Sequence, residues 1–221
     1  IQSADYHLLY RLGDATRLIG GVTYERDSMR IASPAPWDPN PTPLSVSQTT
    51  GSLYGQASRD FGETTVSLSA RHDDNSAFGS QDIAQLSVAT ALNDRVRLHA
   101  SAGQGVKTPS LYQLYSPYGT TGLVPEKGVT VDAGADFAVG NGTIGVTVFT
   151  RTVRDLIDFR YSDCLPSQIY GCYGSIDSSR ASGIELEGFQ TFGDVTVRGN
   201  YSFLDTENRS PGLAGLALPH A

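Results

Sequence analysis

The chain has 221 residues, of which 39% are hydrophobic and 18% charged, and its formal net charge is −7. The negative net charge argues against the basic surface that nucleic-acid binding requires, so no nucleic acid is expected as a partner. No run of about 18 apolar residues occurs, so the sequence predicts no membrane-spanning helix. A barrel that crosses a membrane with strands has a different signal, the alternation of apolar and polar residues.

Such alternation recurs along the chain, whereas helical spacing is nearly absent. Taken in order, residues 6–12, 16–30 and 47–61 show it less cleanly, and residues 65–71 and 85–92 show it well. It is clearest where Val96, Leu98, Ala100 and Ala102 alternate with polar residues. It returns at 129–137 and 195–203, and the apolar row at 144–148 begins a long strand that runs to about Arg160. The pattern predicts about ten strands.

The predicted connections alternate between short and long. The short ones are Gly13-Asp14, Phe61-Gly62-Glu63, Asn93-Asp94, Gly140-Asn141 and Phe192-Gly193-Asp194. Between them lie long connections at 31–46, 73–80, 106–127, 161–174 and 205–218. This alternation is typical of an up-and-down antiparallel sheet, in which the long loops lie at one end, whereas a soluble sandwich has mixed loop lengths. The proline-rich residues 33–43 lie on the long-loop side, so they are interpreted as a loop and no domain boundary is predicted.

The two faces of these strands differ in charge. The polar faces carry Arg71, Arg97, Asp132, Asp136, Glu185, Glu187 and Arg198. An arginine facing lipid near the bilayer midplane costs about 2–4 kcal/mol, so the charged face is predicted to line a lumen and the apolar face to meet lipid. A sheet that spans a membrane must close, because its backbone groups find no partners in lipid. The predicted fold class is therefore all-β, an antiparallel up-and-down transmembrane β-barrel.

One long loop contains the most specific sequence motif in the chain. Residues 105–127 read GVKTPSLYQLYSPYGTTGLVPEK and are preceded by Ser101 and Gly103. This stretch resembles the TonB-dependent outer-membrane receptors, in which a strand ends in S-x-G-x-G-F-K-A-P-S-L-x-x-L-Y and G-N-P-x-L-K-P-E follows. Val106, Thr108 and Val124 depart from the commoner Phe, Ala and Lys, and Thr120-Thr121 replaces Asn-Pro.

Other segments are similar to the same family. Residues 71–79 resemble its R-x-D-D-N-S-x-F-G strand end, residues 181–187 its A-x-x-x-G-V-E-L-E segment and residues 200–205 its N-Y-T-Y-L-D segment. Val148-Phe149 with residues 155–157 resembles F-x-x-x-x-x-D-L-I, whereas Leu218-Pro219-His220 departs from L-x-R-R-P-x-H. The combined pattern is most similar to the vitamin B12 (cobalamin) receptor branch.

The resemblance implies a barrel of about 22 strands closed by an N-terminal plug domain. Residues 1–221 would then be part of the barrel domain, without the plug and the C-terminal strands. The expected function is TonB-energised uptake of cobalamin or an iron-siderophore or other metal chelate through the outer membrane of a Gram-negative bacterium. The implied partners are outer-membrane lipid, the plug of the same parent chain, the TonB complex acting through the plug, and the nutrient. The alternatives are a passive porin-like channel and a ten-stranded outer-membrane hydrolase.

Aromatic residues of the predicted outer loops are the candidate ligand contacts. They are Tyr112, Tyr115, Tyr118, Trp37 and Tyr170. An aromatic ring can stack on a flat ligand, but aromatic girdles at the membrane interface are the alternative explanation for such residues. No enzyme activity, catalytic residue or cofactor is expected, because the histidines are interpreted as lining or rim residues.

The two cysteines, Cys164 and Cys172, share one predicted outer loop. No further Cys or His nearby completes a metal site, so a disulfide in an oxidising compartment is predicted, with two unrelated thiols as the alternative. Asp73 and Asp74 could offer oxygen ligands to Ca²⁺, but the spacing matches no complete calcium loop and a solvated turn is the preferred interpretation.

Overall fold

Over the residues that the structure describes, the fold is a single antiparallel sheet of ten strands in chain order, with one short helix. A computed structural model describes residues 1–33, 40–210 and 215–216. The strands are β1 (Gln2–Leu12), β2 (Thr16–Ile31), β3 (Leu44–Phe61), β4 (Thr64–Asn75), β5 (Gly79–Asn93), β6 (Val96–Lys107), β7 (Glu126–Val139), β8 (Gly142–Arg160), β9 (Cys172–Phe192) and β10 (Val195–Asn208). The helix is α1 (Leu111–Tyr115), and β1 and β10 form the two edges of the sheet. The predicted up-and-down topology is confirmed.

The short turns lie at one end of the sheet, where each joins two neighbouring strands. In the turn between β3 and β4, Gly62 has a φ of 62°, whereas Glu63 is outside the left-handed region. A positive φ at the first of two turn residues is the type II′ pattern, whose twist matches that of the flanking strands. The turn between β5 and β6 contains no glycine. There the Asn93 Oδ1 accepts hydrogen bonds from the Arg95 and Val96 amides at 2.9 and 3.0 Å, and these bonds stabilise the turn. All five predicted short turns are therefore confirmed.

The predicted long connection at 73–80 is wrong. β4 continues to Asn75 and β5 begins at Gly79, so only residues 76–78 form the turn. Asn75 Oδ1 accepts hydrogen bonds from the Ala77 and Phe78 amides, and its Nδ2 donates to Thr50 Oγ1 at 2.8 Å. Asp and Asn are rare in strands, so the sequence predicted that β4 ends before Asp73. Hydrogen bonds to the neighbouring strand extend β4 to Asn75.

The alternation separates two faces, because side chains that are opposite in register lie on the same side of a sheet. On one face, Arg97 lies opposite Asp136 and His99 lies opposite Gly134. The other face carries exposed apolar rows, and Leu86 on it is 52% exposed. The predicted charged and apolar rows therefore lie on opposite sides of the sheet, which is the arrangement that a lumen and a lipid surface require.

The compact apolar core lies beneath a loop and not within the sheet. Leu114, Leu123 and Ile157 are buried together, and Phe78 and Tyr173 pack against them. Among the described residues, no helix is long and apolar enough to cross a membrane. The buried apolar side chains thus fix the outer loops on the strands.

A candidate ligand-capture surface at the outer loops

The loop between β6 and β7 folds back against the sheet. Pro109 is fully buried, Leu114 is only 4% exposed, and helix α1 contacts β2 and β3. The sequence predicted an ordered loop here and missed the helix. The helix has a capping box, in which the Ser110 Oγ accepts from the Gln113 amide at 3.2 Å and the Gln113 side chain accepts from the Ser110 amide at 2.9 Å. This S-x-x-Q spacing was the signal that could have revealed it.

An ion pair holds the base of this loop. Lys107 ends β6 and Glu126 begins β7, and the two are opposite in register. The Lys107 Nζ donates to the Glu126 Oε1 at 2.8 Å, and Glu126 is buried. A buried carboxylate needs such a partner, so the pair fixes the separation at which the loop leaves the sheet.

The loop between β8 and β9 is bonded to the first loop. The Tyr173 amide donates to the Tyr118 carbonyl oxygen at 2.9 Å, and the Thr120 hydroxyl donates to the Tyr173 carbonyl oxygen at 2.7 Å. The Gln168 side chain donates to the Gly119 carbonyl oxygen at 2.8 Å. Gly119 approaches α1 closely, since a Cβ added there would lie 2.6 Å from the Leu114 carbonyl group. The two loops therefore form one connected surface.

Five aromatic rings meet where these loops join, and we call them the aromatic cluster. They are Tyr112, Tyr118, Phe159, Tyr161 and Tyr173. The rings of Phe159 and Tyr173 lie 5.4 Å apart, and those of Tyr112 and Tyr173 lie 6.2 Å apart, in edge-to-face pairs. Aromatic pairs prefer this geometry.

The structure brings together only some of the predicted ligand contacts. Tyr112 and Tyr118 belong to the aromatic cluster, and Tyr112 remains 44% exposed. Tyr115 lies on α1 and is 38% exposed, whereas Tyr170 is 72% exposed and outside the cluster. Trp37 lies outside the described residues.

Sequence reasoning missed three members of the aromatic cluster, Phe159, Tyr161 and Tyr173. They lie at the end of β8, just after it, and near the start of β9. The signal that could have found Phe159 and Tyr161 is their spacing of two at the end of a long strand, which puts both rings on one face.

The structure pairs Cys164 with Cys172 as a disulfide, with a Cα–Cα distance of 5.7 Å. The bond closes the loop that contains Tyr170, and its second cysteine, Cys172, is the first residue of β9. It therefore restrains the segment from which Gln168 reaches the other loop.

The acidic pair proposed for Ca²⁺ does not form a turn. Asp73 and Asp74 are consecutive residues of β4, so their side chains point to opposite faces of the sheet. The Asp73 Oδ1 accepts from the Arg71 Nε at 2.6 Å. Over the described ranges, no group of three or more His, Cys, Asp or Glu side chains is arranged to hold a metal ion.

His99 lies on the lumen face between two possible partners. Its Nε2 lies 3.3 Å from the Thr147 hydroxyl, and its Nδ1 lies 3.6 Å from the Asp136 carboxylate. The second separation exceeds a hydrogen bond, so the aspartate does not orient the imidazole as a catalytic base requires. The ring occupies the space above Gly134, where any Cβ would collide with it.

Comparison with known proteins gives a consistent family. The TonB dependent receptor-like β-barrel family matches residues 2–221. The vitamin B12 transporter BtuB of Vibrio vulnificus is 27% identical over 200 residues, which cover 89% of this chain and 31% of the transporter. The siderophore receptor PirA of Pseudomonas aeruginosa has a TM-score of 0.75 at 18% identity, covering 92% of this chain and 39% of the receptor. The FrpB iron transporter of Neisseria meningitidis has a TM-score of 0.73 at 14% identity, covering 93% and 35%.

The chain thus spans 31% of the curated relative and 35–39% of these solved receptors. At such low identity the solved structures establish the fold, whereas the family match over almost the whole chain establishes membership. The relatives are transporters and receptors and not enzymes. The protein belongs to the TonB-dependent receptor family, and its ten strands are part of a β-barrel in the outer membrane of a Gram-negative bacterium.

Proposed function

We propose that the complete protein is a receptor that takes up a large, scarce nutrient through the outer membrane and captures it at the aromatic cluster and at Tyr115 of α1. The observation that carries the proposal is that two outer loops are bonded together through Tyr173 and present aromatic rings above the lumen face. A surface that is already ordered loses less conformational entropy when a ligand binds. The barrel supplies the path, and the loops supply selectivity.

The proposed ligand is cobalamin or an iron chelate. Both are large molecules with flat, partly apolar surfaces, which suit the exposed rings of Tyr112 and Tyr115. The likeness to a vitamin B12 transporter supports the first, and the likeness to siderophore receptors supports only a shared fold with proteins that handle the second.

We further propose that an N-terminal plug of the parent chain fills the lumen and that the TonB complex displaces the plug. Support comes from the lumen face, where Arg71 binds Asp73 and Ser52, and Tyr54 donates to Asp5 at 3.0 Å. Such a polar lining needs water or a protein partner. An open barrel of about 22 strands would be too wide to select a solute, so a plug explains how selectivity is kept.

The test is binding of radiolabelled cobalamin, and separately of ferric siderophores, to cells carrying the complete receptor. The double variant Tyr112→Ala/Tyr115→Ala should bind the ligand about thirtyfold more weakly, because each ring lost removes stacking and buried area worth about 1 kcal/mol. The matched control is Tyr24→Ala, an exposed tyrosine on the apolar face of β2, which should bind normally. Heat-modifiable mobility checks that all variants assemble.

The outcomes separate the parts of the proposal. Unchanged affinity in the double variant would remove these tyrosines from the ligand site. A wild type that binds an iron chelate and not cobalamin would be an iron receptor. Uptake that neither saturates nor stops when a protonophore collapses the inner-membrane gradient would contradict energised transport and indicate a passive pore.

A further inference from the structure

Three basic side chains form a row across β7, β8 and β9. Lys127 on β7 lies directly opposite Arg154 on β8. Arg154 lies opposite Ser178 on β9, and Arg180 lies two residues further along that strand. Residues at such diagonal positions are within reach of each other's long side chains. We call these three residues the basic row.

The basic row lies on the apolar, lipid-facing side of the sheet. On β7 it continues the alternate positions Val131 and Val129, both about half exposed. On β8 and β9, every second residue lies on this same side of the sheet. Towards the end with the long loops, these residues change from apolar to hydroxyl-bearing and then to basic. These series are Val146, Val148, Thr150, Thr152 and Arg154 on β8, and Leu186, Ile184, Ser182 and Arg180 on β9. The order matches the passage from hydrocarbon through the polar interface to the headgroups of a membrane.

The basic row lies at the end of the sheet from which the long loops leave. Lys127 is the second residue of β7, far from the turn at residues 140–141. In barrels of the outer membrane, the long loops face outside. The row therefore lies at the level of the outer leaflet.

The cations of the row lack acidic partners. Like charges directly opposite each other destabilise a sheet, as for Lys127 and Arg154. Within the described residues, no carboxylate lies within ion-pair distance of the three side chains. The two carboxylates closest in register are engaged elsewhere, since Glu207 accepts from Arg209 and Asp82 pairs with His72.

The geometry leaves space and donors for an anion. Lys127 and Arg154 line a cleft together with Ser80, Gln104, Thr152 and Asp82, and the Asp82 carboxylate is paired with His72. The Arg180 Nε donates to the Thr150 and Ser182 hydroxyls at 3.2 and 3.1 Å, which orients the guanidinium and leaves its terminal amino groups free for a ligand.

We propose that the basic row binds the phosphate groups of the glycolipid that forms the outer leaflet. Guanidinium groups bind phosphate through paired, charge-assisted hydrogen bonds, and the lysine adds a point charge. The acyl chains would lie on the apolar rows directly below, against Val129 and Val131. This inference depends on the location of the barrel and not on the nutrient, so it is tested independently of the proposed function.

The experiment uses the complete receptor purified in detergent and titrated with diphosphoryl lipid A, with native mass spectrometry as the readout. The variant Lys127→Gln/Arg154→Gln should bind diphosphoryl lipid A at least about tenfold more weakly, since it loses two charged contacts. Arg151→Gln is the matched control, because Arg151 is exposed on the same strand and faces the lumen side. The charge-preserving variant Lys127→Arg/Arg154→Lys should retain most of the affinity.

Three results would overturn the proposal. They are equal affinity of the wild type and the glutamine variant, equal affinity of the wild type for dephosphorylated lipid A, and binding of inorganic phosphate alone as tightly as of the lipid. The last result would identify a site for free anions. If the double variant fails to assemble, the comparison of phosphorylated with dephosphorylated lipid on the wild type decides.

Discussion

At the scale of single residues, the close approach of Gly119 to α1 explains how the loop between β6 and β7 keeps its shape. The Gly119 amide donates to the Ser116 carbonyl at 2.8 Å, and the next amide, of Thr120, donates to Gln113 at 2.9 Å. No side chain fits between these groups and the helix end. The residue is therefore needed for its lack of a Cβ and not for a special φ.

Gly119→Ala should loosen the loop at residues 108–125, because its Cβ would overlap the Leu114 carbonyl group. Overpacking of this kind costs about 1–3 kcal/mol. Hydrogen exchange of the Thr120 and Leu123 amides in the complete receptor measures the effect. Gly122→Ala is the control, since nothing lies within 4 Å of a Cβ there. Equal protection in the two variants would contradict this packing account.

The disulfide is the second prediction at this scale. Peptide mapping without reductant should recover the Cys164 and Cys172 peptides as one linked species from protein exported to the cell surface. Closing so small a loop stabilises by about 2–3 kcal/mol at most, so Cys164→Ser/Cys172→Ser should affect the loop at 161–171 and leave barrel assembly intact. Recovery of two free thiols would refute the pairing.

Residue-level features were only partly predictable. Tyr112 and Tyr118 could be predicted as ligand contacts because their loop contains a distinctive sequence motif. Their contacts with Tyr173, however, join segments that are distant in sequence. Local patterns carry no information about such partners. The incorrect interpretation of Asp73 and Asp74 has the same origin, since hydrogen bonds to a neighbouring strand overrode a low intrinsic propensity.

At the scale of the strand, the two faces have different solvents. Leu86→Arg should impair assembly or cost about 2–4 kcal/mol, because the charge would enter lipid. Gln85→Arg is a matched control on the same strand and at the same depth, since Gln85 lies opposite Gly103 on the lumen face. Heat-modifiable mobility of the two complete receptors compares them. Equal behaviour would show that the assignment of the faces is wrong.

Strands and turns were the most predictable elements, because each depends on neighbours in the chain. Alternation located nine of the ten strands, whereas β9 was expected only from the connections on either side of it. Four of the short turns contain a glycine that adopts a positive φ, as at Gly13 and Gly193. Helix α1 was not predicted because five residues are too few to show helical periodicity, although Ser110 and Gln113 form its capping box.

At the scale of the whole molecule, the sheet has two edges. In the part of the chain that the structure describes, β1 pairs only with β2, and β10 pairs only with β9. Expressed alone and refolded in detergent, residues 1–221 should therefore form a polydisperse sample, because open edges pair with other chains. Light scattering after size exclusion measures this, and the complete receptor is the monodisperse control. A monomer of residues 1–221 that melts cooperatively would instead support a closed ten-stranded barrel.

The docking of α1 also has a consequence for the order of assembly. The helix lies in the chain between β6 and β7 but rests on β2 and β3, so β4 and β5 separate it from its contacts in the sheet. Contacts between such remote segments form late, because they require a large loss of chain entropy before they contribute. The helix can therefore pack against β2 and β3 only after the intervening strands have paired. The aromatic cluster is therefore complete only after the strands beneath it have paired, and a partly assembled sheet lacks this surface.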